Sequence, residues 1–191
     1  VLLVHGYFCN RGVWRPWLRR MRALGVPCTA LTLEPAFGEI DAWVPAIDAA
    51  VAALQRGTGR PPLVVAHSMG GLAMRAWLAA RPGAAARVQH IITVGTPHRG
   101  TWLARFGHTR NARQMRPGGP WLAALAAGEG TAPHTLFTCF HGHADNIVFP
   151  ASTATLPGAD NHHLRAVAHV AMLEHPAVWA EVLRRLGMAP A

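Results

Sequence analysis

The chain has 191 residues, 51% of them hydrophobic, which is enough to bury one substantial core. Its formal charge is +9, from 18 basic residues against 9 acidic ones, and every basic residue is arginine. The arginines, among them Arg15, Arg19, Arg20, Arg22, Arg60, Arg75, Arg87 and Arg105, are scattered along the chain. A nucleic-acid surface would gather them into a patch or stripe, so that class is set aside. A weak attraction to anionic lipid surfaces stays open. No apolar run is long enough to span a bilayer, and no signal peptide precedes the first strand. The chain starts on Val1, so it is expected to be a fragment or processed product of something longer; a secreted or membrane-associated location is the expectation. Cys9, Cys28 and Cys139 are odd in number and widely spaced, which implies free thiols rather than a disulfide framework.

Strand-like and helix-like segments alternate along the chain. Residues 1–4 (VLLV) form a short buried strand. Trp14, Trp17, Leu18, Met21 and Leu24 give residues 12–24 a helical spacing, and 28–33 is a strand after Pro27. Val44, Ile47, Val51 and Leu54 mark a helix over 41–55. Residues 62–67 are a strand and 69–80 a helix, stopped by Pro82-Gly83. Three more strands follow at 88–95, 134–142 and 161–167, and a last helix runs from Pro176 to Leu186. This rhythm predicts an α/β fold: a mostly parallel sheet of roughly six strands with helices on both faces, in a single domain. Reactive groups in such sheets collect beyond the carboxyl ends of the strands. The long connection 97–133 breaks the rhythm and carries apolar residues such as Met115, Trp121, Leu122 and Leu125. It reads as a core helix, a pocket wall or a short lid, with Trp102, Leu103 and Phe106, together with Phe8, as candidate substrate contacts.

The strand at 62–67 runs straight into Ser68, with Ala66 two residues before and Gly70 two after. A strand that turns at once into a helix forces a tight bend, and the residue at the bend needs small neighbours. This is the nucleophile-elbow arrangement G-x-S-x-G, here with Ala66 in place of the first glycine. It puts a hydroxyl at a helix N-terminus, where unpaired N–H groups favour negative charge. An acyl-transfer site also needs two backbone N–H donors aimed at the carbonyl oxygen as charge builds there. Met69 supplies one. Tyr7, after the strand-ending His5-Gly6, supplies the other, with Phe8 next in line. His5 itself reads as a structural histidine holding that loop.

A serine nucleophile needs a base, and a base needs an acid. In this topology the order is serine, carboxylate, histidine. Of twelve histidines, His169 lies after the last strand and before the last helix. His162 and His163 fall within the strand and His175 at the helix entry. Only Glu129, Asp145 and Asp160 lie between Ser68 and His169. Glu129 and Asp160 precede strands, in what reads as loop, whereas Asp145 follows one at its carboxyl end, where reactive groups gather. Asp145 is therefore the expected acid. His141-x-His143 and His162-His163 lack a third metal ligand at a recognisable spacing, and H-E-x-x-H is absent.

Five segments in order, VHG, AHSMGG, GTPHRGT (95–101), ADNIVFP (144–150) and VAHVAML (167–173), resemble the α/β-hydrolase superfamily. More narrowly they are similar to small bacterial lipases and esterases with an Ala-containing elbow. The resemblance covers nearly the whole chain; Ala168 stands where many relatives have Gly. It implies a serine hydrolase with a Ser68–Asp145–His169 triad and no cofactor; seven tryptophans and the apolar 97–133 segment suggest apolar acyl esters as its substrates. An acyltransferase using the same triad, or a non-catalytic lipid-binding relative, are the alternatives.

Overall fold

The computed structural model describes residues 1–129 and 134–189. Six strands make one sheet: β1 (Leu2–Val4), β2 (Thr29–Ala30), β3 (Leu63–His67), β4 (His90–Val94), β5 (Phe137–His141) and β6 (Asp160–His163). Their order is β2-β1-β3-β4-β5-β6, and every neighbouring pair is parallel. Parallel pairing needs helical crossovers, and these bury both sheet faces. That explains why LLV and LVVAH are almost unbroken apolar runs rather than alternating ones, and β1, β3 and β4 are buried throughout.

Helices α1 (Arg15–Ala23) and α6 (Pro176–Arg185) cover one face. Trp14, Trp17, Met21, Val178 and Val182 pack there against Leu3, Val65, Ile92 and Val94. Helices α2 (Val44–Thr58) and α3 (Met69–Ala80) cover the other, with Ile47, Val51, Leu72 and Trp77 against Leu2, Val4, Val64 and Ile91. The chain leaves β1 to one side for β2, then crosses back for β3 on the other. That reversal opens a crevice above the carboxyl ends of β1 and β3, where ligands bind in such sheets.

The interior strands and α3 match the sequence expectation closely; the edges do not. The strand expected at 28–33 shrinks to Thr29–Ala30, paired with Leu2 and Leu3 of β1 and bonded also to the Val1 carbonyl. The strand expected at 161–167 is instead Asp160–His163, an exposed polar edge bonded on one side only. The first two helices each begin with a 3₁₀ turn, Arg11–Trp14 and Ile40–Trp43, before a proline in the first α turn. The connection after β4 holds a 3₁₀ turn (Trp102–Phe106), α4 (Arg110–Gln114) and α5 (Pro120–Gly128). Ala104, Ala112, Met115, Leu122 and Leu125 of this stretch join the core, while Trp102 and Phe106 stay exposed. Residues 130–133 of the expected pocket segment lie outside the described residues, and the strand expected at 134–142 is Phe137–His141, after a 3₁₀ turn at His134–Leu136.

Candidate active site

Ser68 stands between β3 and α3 with φ 54° and ψ −129°, a backbone conformation that a side chain disfavours. Its small neighbours explain how the bend is held. A Cβ on Gly70 would lie 2.6 Å from the His5 carbonyl oxygen and 2.8 Å from that of Val4. A Cβ on Gly6 would lie 2.6 Å from Ser68 Cβ. The elbow is thus wedged against the end of β1, and only glycine fits at either contact. Ser68 N–H donates to the Val94 carbonyl, and the Thr96 hydroxyl donates to the Ser68 carbonyl. The Ser68 side chain does not cap its own helix, so its hydroxyl is left for other partners.

Among the described residues two other non-glycine positions have positive φ, Phe8 at 56° and Ala166 at 51°. Phe8 follows β1 in the loop of the candidate donor Tyr7. Ala166 precedes His169 in the loop after β6. Strained backbone therefore falls on three loops at the same edge of the sheet, the pattern of functional sites.

Asp145 and His169 meet there. His169 Nδ1 and Asp145 Oδ2 are 2.9 Å apart, both side chains nearly fully buried. The other carboxylate oxygen accepts from the backbone N–H groups of Ile147 and Val148, each at 2.8 Å. Burial alone would raise the Asp145 carboxyl. The His169 hydrogen bond and charge, with the two backbone donors, outweigh it and hold the pKa below the ordinary carboxylate value. An ionised carboxylate on Nδ1 fixes which imidazole nitrogen carries the proton and leaves Nε2 to act as base. Asn146 Oδ1 accepts from the His169 backbone N–H and ties the two loops together. Among the described residues no hydrogen bond joins the His169 ring to the Ser68 hydroxyl; in empty sites such contacts are often long.

The rejected acids sit elsewhere. Asp160 is the exposed first residue of β6 and contacts His162. Glu129 was expected in a loop; instead it closes α5, buried, with both carboxylate oxygens on the guanidinium of Arg75. Arg75, one of the arginines scattered along the chain, is only 3% exposed. The pair is structural: Arg75 also donates to the His98 carbonyl. His5 has both ring nitrogens engaged, with the Gly6 carbonyl and the Leu33 N–H. His141 and His143 do not share a strand face, since β5 ends at His141; His143 pairs with His163 instead. Among the described residues no three potential ligands converge on a metal position. The three cysteines are unpaired, and burial raises each thiol, Cys28 and Cys139 to about 11, which disfavours the nucleophilic thiolate.

Residues 1–138 match the family model described as the alpha/beta hydrolase family. The chain belongs to the alpha/beta hydrolase family. As a member of that family it is a hydrolase. The fold is similar to that of the mature lipase BlEst2 of Bacillus licheniformis, with a TM-score of 0.82 at 17% identity, covering 97% of this chain and 90% of that one. Aspergillus fumigatus lipase B gives 0.85 at 19% identity, with 99% of this chain but 52% of that one covered. A monoacylglycerol lipase of Paleococcus ferrophilus gives 0.64 at 15% identity, with 96% and 93% covered. No curated protein matches the sequence significantly.

Sequence reasoning missed Thr96, Asn146 and Gly95, which orient the elbow and the His169 loop. All three lie in the segments GTPHRGT and ADNIVFP, and Gly95 also shows as a glycine directly ending an apolar strand.

Proposed function

We propose that this hydrolase is a serine carboxylic ester hydrolase of the lipase/esterase type. Ser68 Oγ attacks the ester carbonyl while His169 Nε2 takes its proton, and Asp145 stabilises the resulting imidazolium. The backbone N–H groups of Met69 and Tyr7 receive the oxyanion. The tetrahedral intermediate collapses, the alkoxide leaves with the proton from His169, and an acyl-Ser68 ester remains. Water, deprotonated by the same imidazole, then releases the acid. The observation that carries this reading is a strained serine at a helix N-terminus, on the same sheet edge as a buried, hydrogen-bonded carboxylate–imidazole pair.

The substrate reading rests on the rim. Phe8, Phe37, Trp102, Phe106, Ile147 and Val170 are exposed, and all lie on loops leaving the carboxyl ends of the strands. Phe8, Phe37 and Tyr7 form one aromatic cluster; Trp102, Phe106 and Phe149 form another. An open groove of about 480 Å³ borders Phe37 and Thr109, and Thr109 hydrogen-bonds the Tyr7 hydroxyl. Apolar acyl chains fit such a rim, with Phe8, Trp102, Leu103 and Phe106 as contacts, and the same face suits loose contact with a lipid surface. Hydrolysis of p-nitrophenyl esters from acetate to palmitate tests the reading, with Ser68→Ala as control. Expected is turnover that favours short and medium chains and vanishes in the variant. Cleavage of peptides with no ester turnover would contradict it.

A further inference from the structure

His67, the last residue of β3, precedes Ser68. Strand alternation puts its side chain on the α1/α6 face, in line with Leu63 and Val65. Those two are aliphatic, and a leucine or phenylalanine at 67 would continue the row at no polar cost. The imidazole is 1% exposed, and neither Nδ1 nor Nε2 has a hydrogen-bond partner among the described residues. A buried polar group left in this way is destabilising unless something else compensates for it. His5, equally buried one strand away, shows the alternative, with both of its nitrogens bonded.

What His67 does meet is His169. The two ring centroids are 4.7 Å apart and the planes are tilted by 45°. The group beside this uncommitted imidazole is therefore the one whose charge changes during turnover. We propose that His67 is a positioning residue: it backs the His169 ring and stabilises its protonated form. The inference rests on the reading of Ser68, Asp145 and His169 as the catalytic set.

Burial, helped by the charge of His169, holds His67 to about 3. The His169 backbone and Asp145 favour the charged form and His5 opposes it, and burial outweighs them. His67 therefore stays neutral wherever the base works. A neutral imidazole keeps a nitrogen lone pair, which favours a cation beside it, and never competes for the serine proton. A cationic residue there would repel the imidazolium, and an aliphatic one would offer it nothing.

His67→Phe keeps the aromatic volume and removes the nitrogens. It is expected to lower kcat about tenfold, with KM little changed, and to move the acidic limb of kcat/KM to lower pH. His67→Asn, which restores a polar group, should recover part of the loss. Wild-type kcat and pH profile in His67→Phe, or an effect on KM alone, would overturn the role of His67 while leaving the catalytic set intact. A wild-type protein that turns over no ester would overturn both. Histidine side-chain ¹⁵N spectra of the wild type test the same point without a variant. The His67 signals should stay neutral from pH 5 to 9 and shift in step with titration of His169. A His67 that titrates in that range, or ignores His169, would overturn the proposal.

Discussion

Gly95 lies so close to the His169 ring that a Cβ on it would sit 2.9 Å from both Cε1 and Nδ1, and 3.3 Å from Asp145 Oδ2. Its φ of +60° is also one that side chains disfavour. The end of β4 is thus the floor on which the carboxylate–imidazole pair rests. Gly95→Ala should displace the ring and cut kcat by about a hundredfold, as small misplacements of catalytic groups do. Steady-state kinetics on one short-chain ester checks this; an active Gly95→Ala protein with an unchanged His169 environment would contradict it.

The acid is tested by comparing carboxylates. Asp145→Asn keeps the shape but favours the wrong imidazole tautomer, with an expected loss of up to ~10⁴ in kcat. Asp160→Asn, on an exposed edge strand, should change kcat less than about threefold, as expected for a surface substitution. Normal activity in Asp145→Asn, or a dead Asp160→Asn, would contradict the assignment.

Glu129 has a different expectation. Removing its charge leaves Arg75 buried and unpaired, a loss of about 3–5 kcal/mol. Glu129→Gln should therefore lower Tm by roughly 10 °C while folded protein retains most of its kcat. Thermal unfolding and initial rates separate the two effects. A stable but inactive Glu129→Gln protein would place that carboxylate in the chemistry.

Much of this was legible in the chain itself. The buried strands were readable because parallel strands covered on both faces are runs of Val, Leu and Ile, as at 63–67 and 91–94. The meeting of Asp145 with His169 at the sheet edge that carries Ser68 was legible because order and position after a strand restrict the choice. The edge bounds were less so: the strand expected at 161–167 is Asp160–His163, and its polar, exposed residues carry no apolar pattern to mark where it ends. The Arg75–Glu129 pair was not legible, because two residues far apart in sequence meet only through the packing of α3 on α5. The unpartnered nitrogens of His67 had no signal in a chain of twelve histidines.

Stability should fall as the pH is lowered from 7.5 to 5. Burial lowers His5, His67, His90, His98 and His141, His67 to about 3 and His90 to about 4. Below the ordinary histidine value of 6.5 the unfolded chain takes up protons that the folded chain refuses, so stability is lost with falling pH. His67 alone accounts for on the order of 2 kcal/mol at pH 5. The lowered carboxyls of Asp145 and Glu181, the latter at about 2, add their loss only at more acid pH. Tm measured across this range should drop by at least about 6 °C. A flat or rising Tm would contradict the neutral burial of these rings.

The central claim is that Ser68 is a nucleophile activated by His169. Treatment with a fluorophosphonate, followed by peptide mass spectrometry, tests it most directly. The account predicts one adduct per chain, on Ser68, absent from Ser68→Ala and formed at least about a hundredfold more slowly in His169→Ala, since triad members act as a unit. A protein that hydrolyses esters while its Ser68 stays unlabelled, or that carries the adduct on another residue, would contradict it.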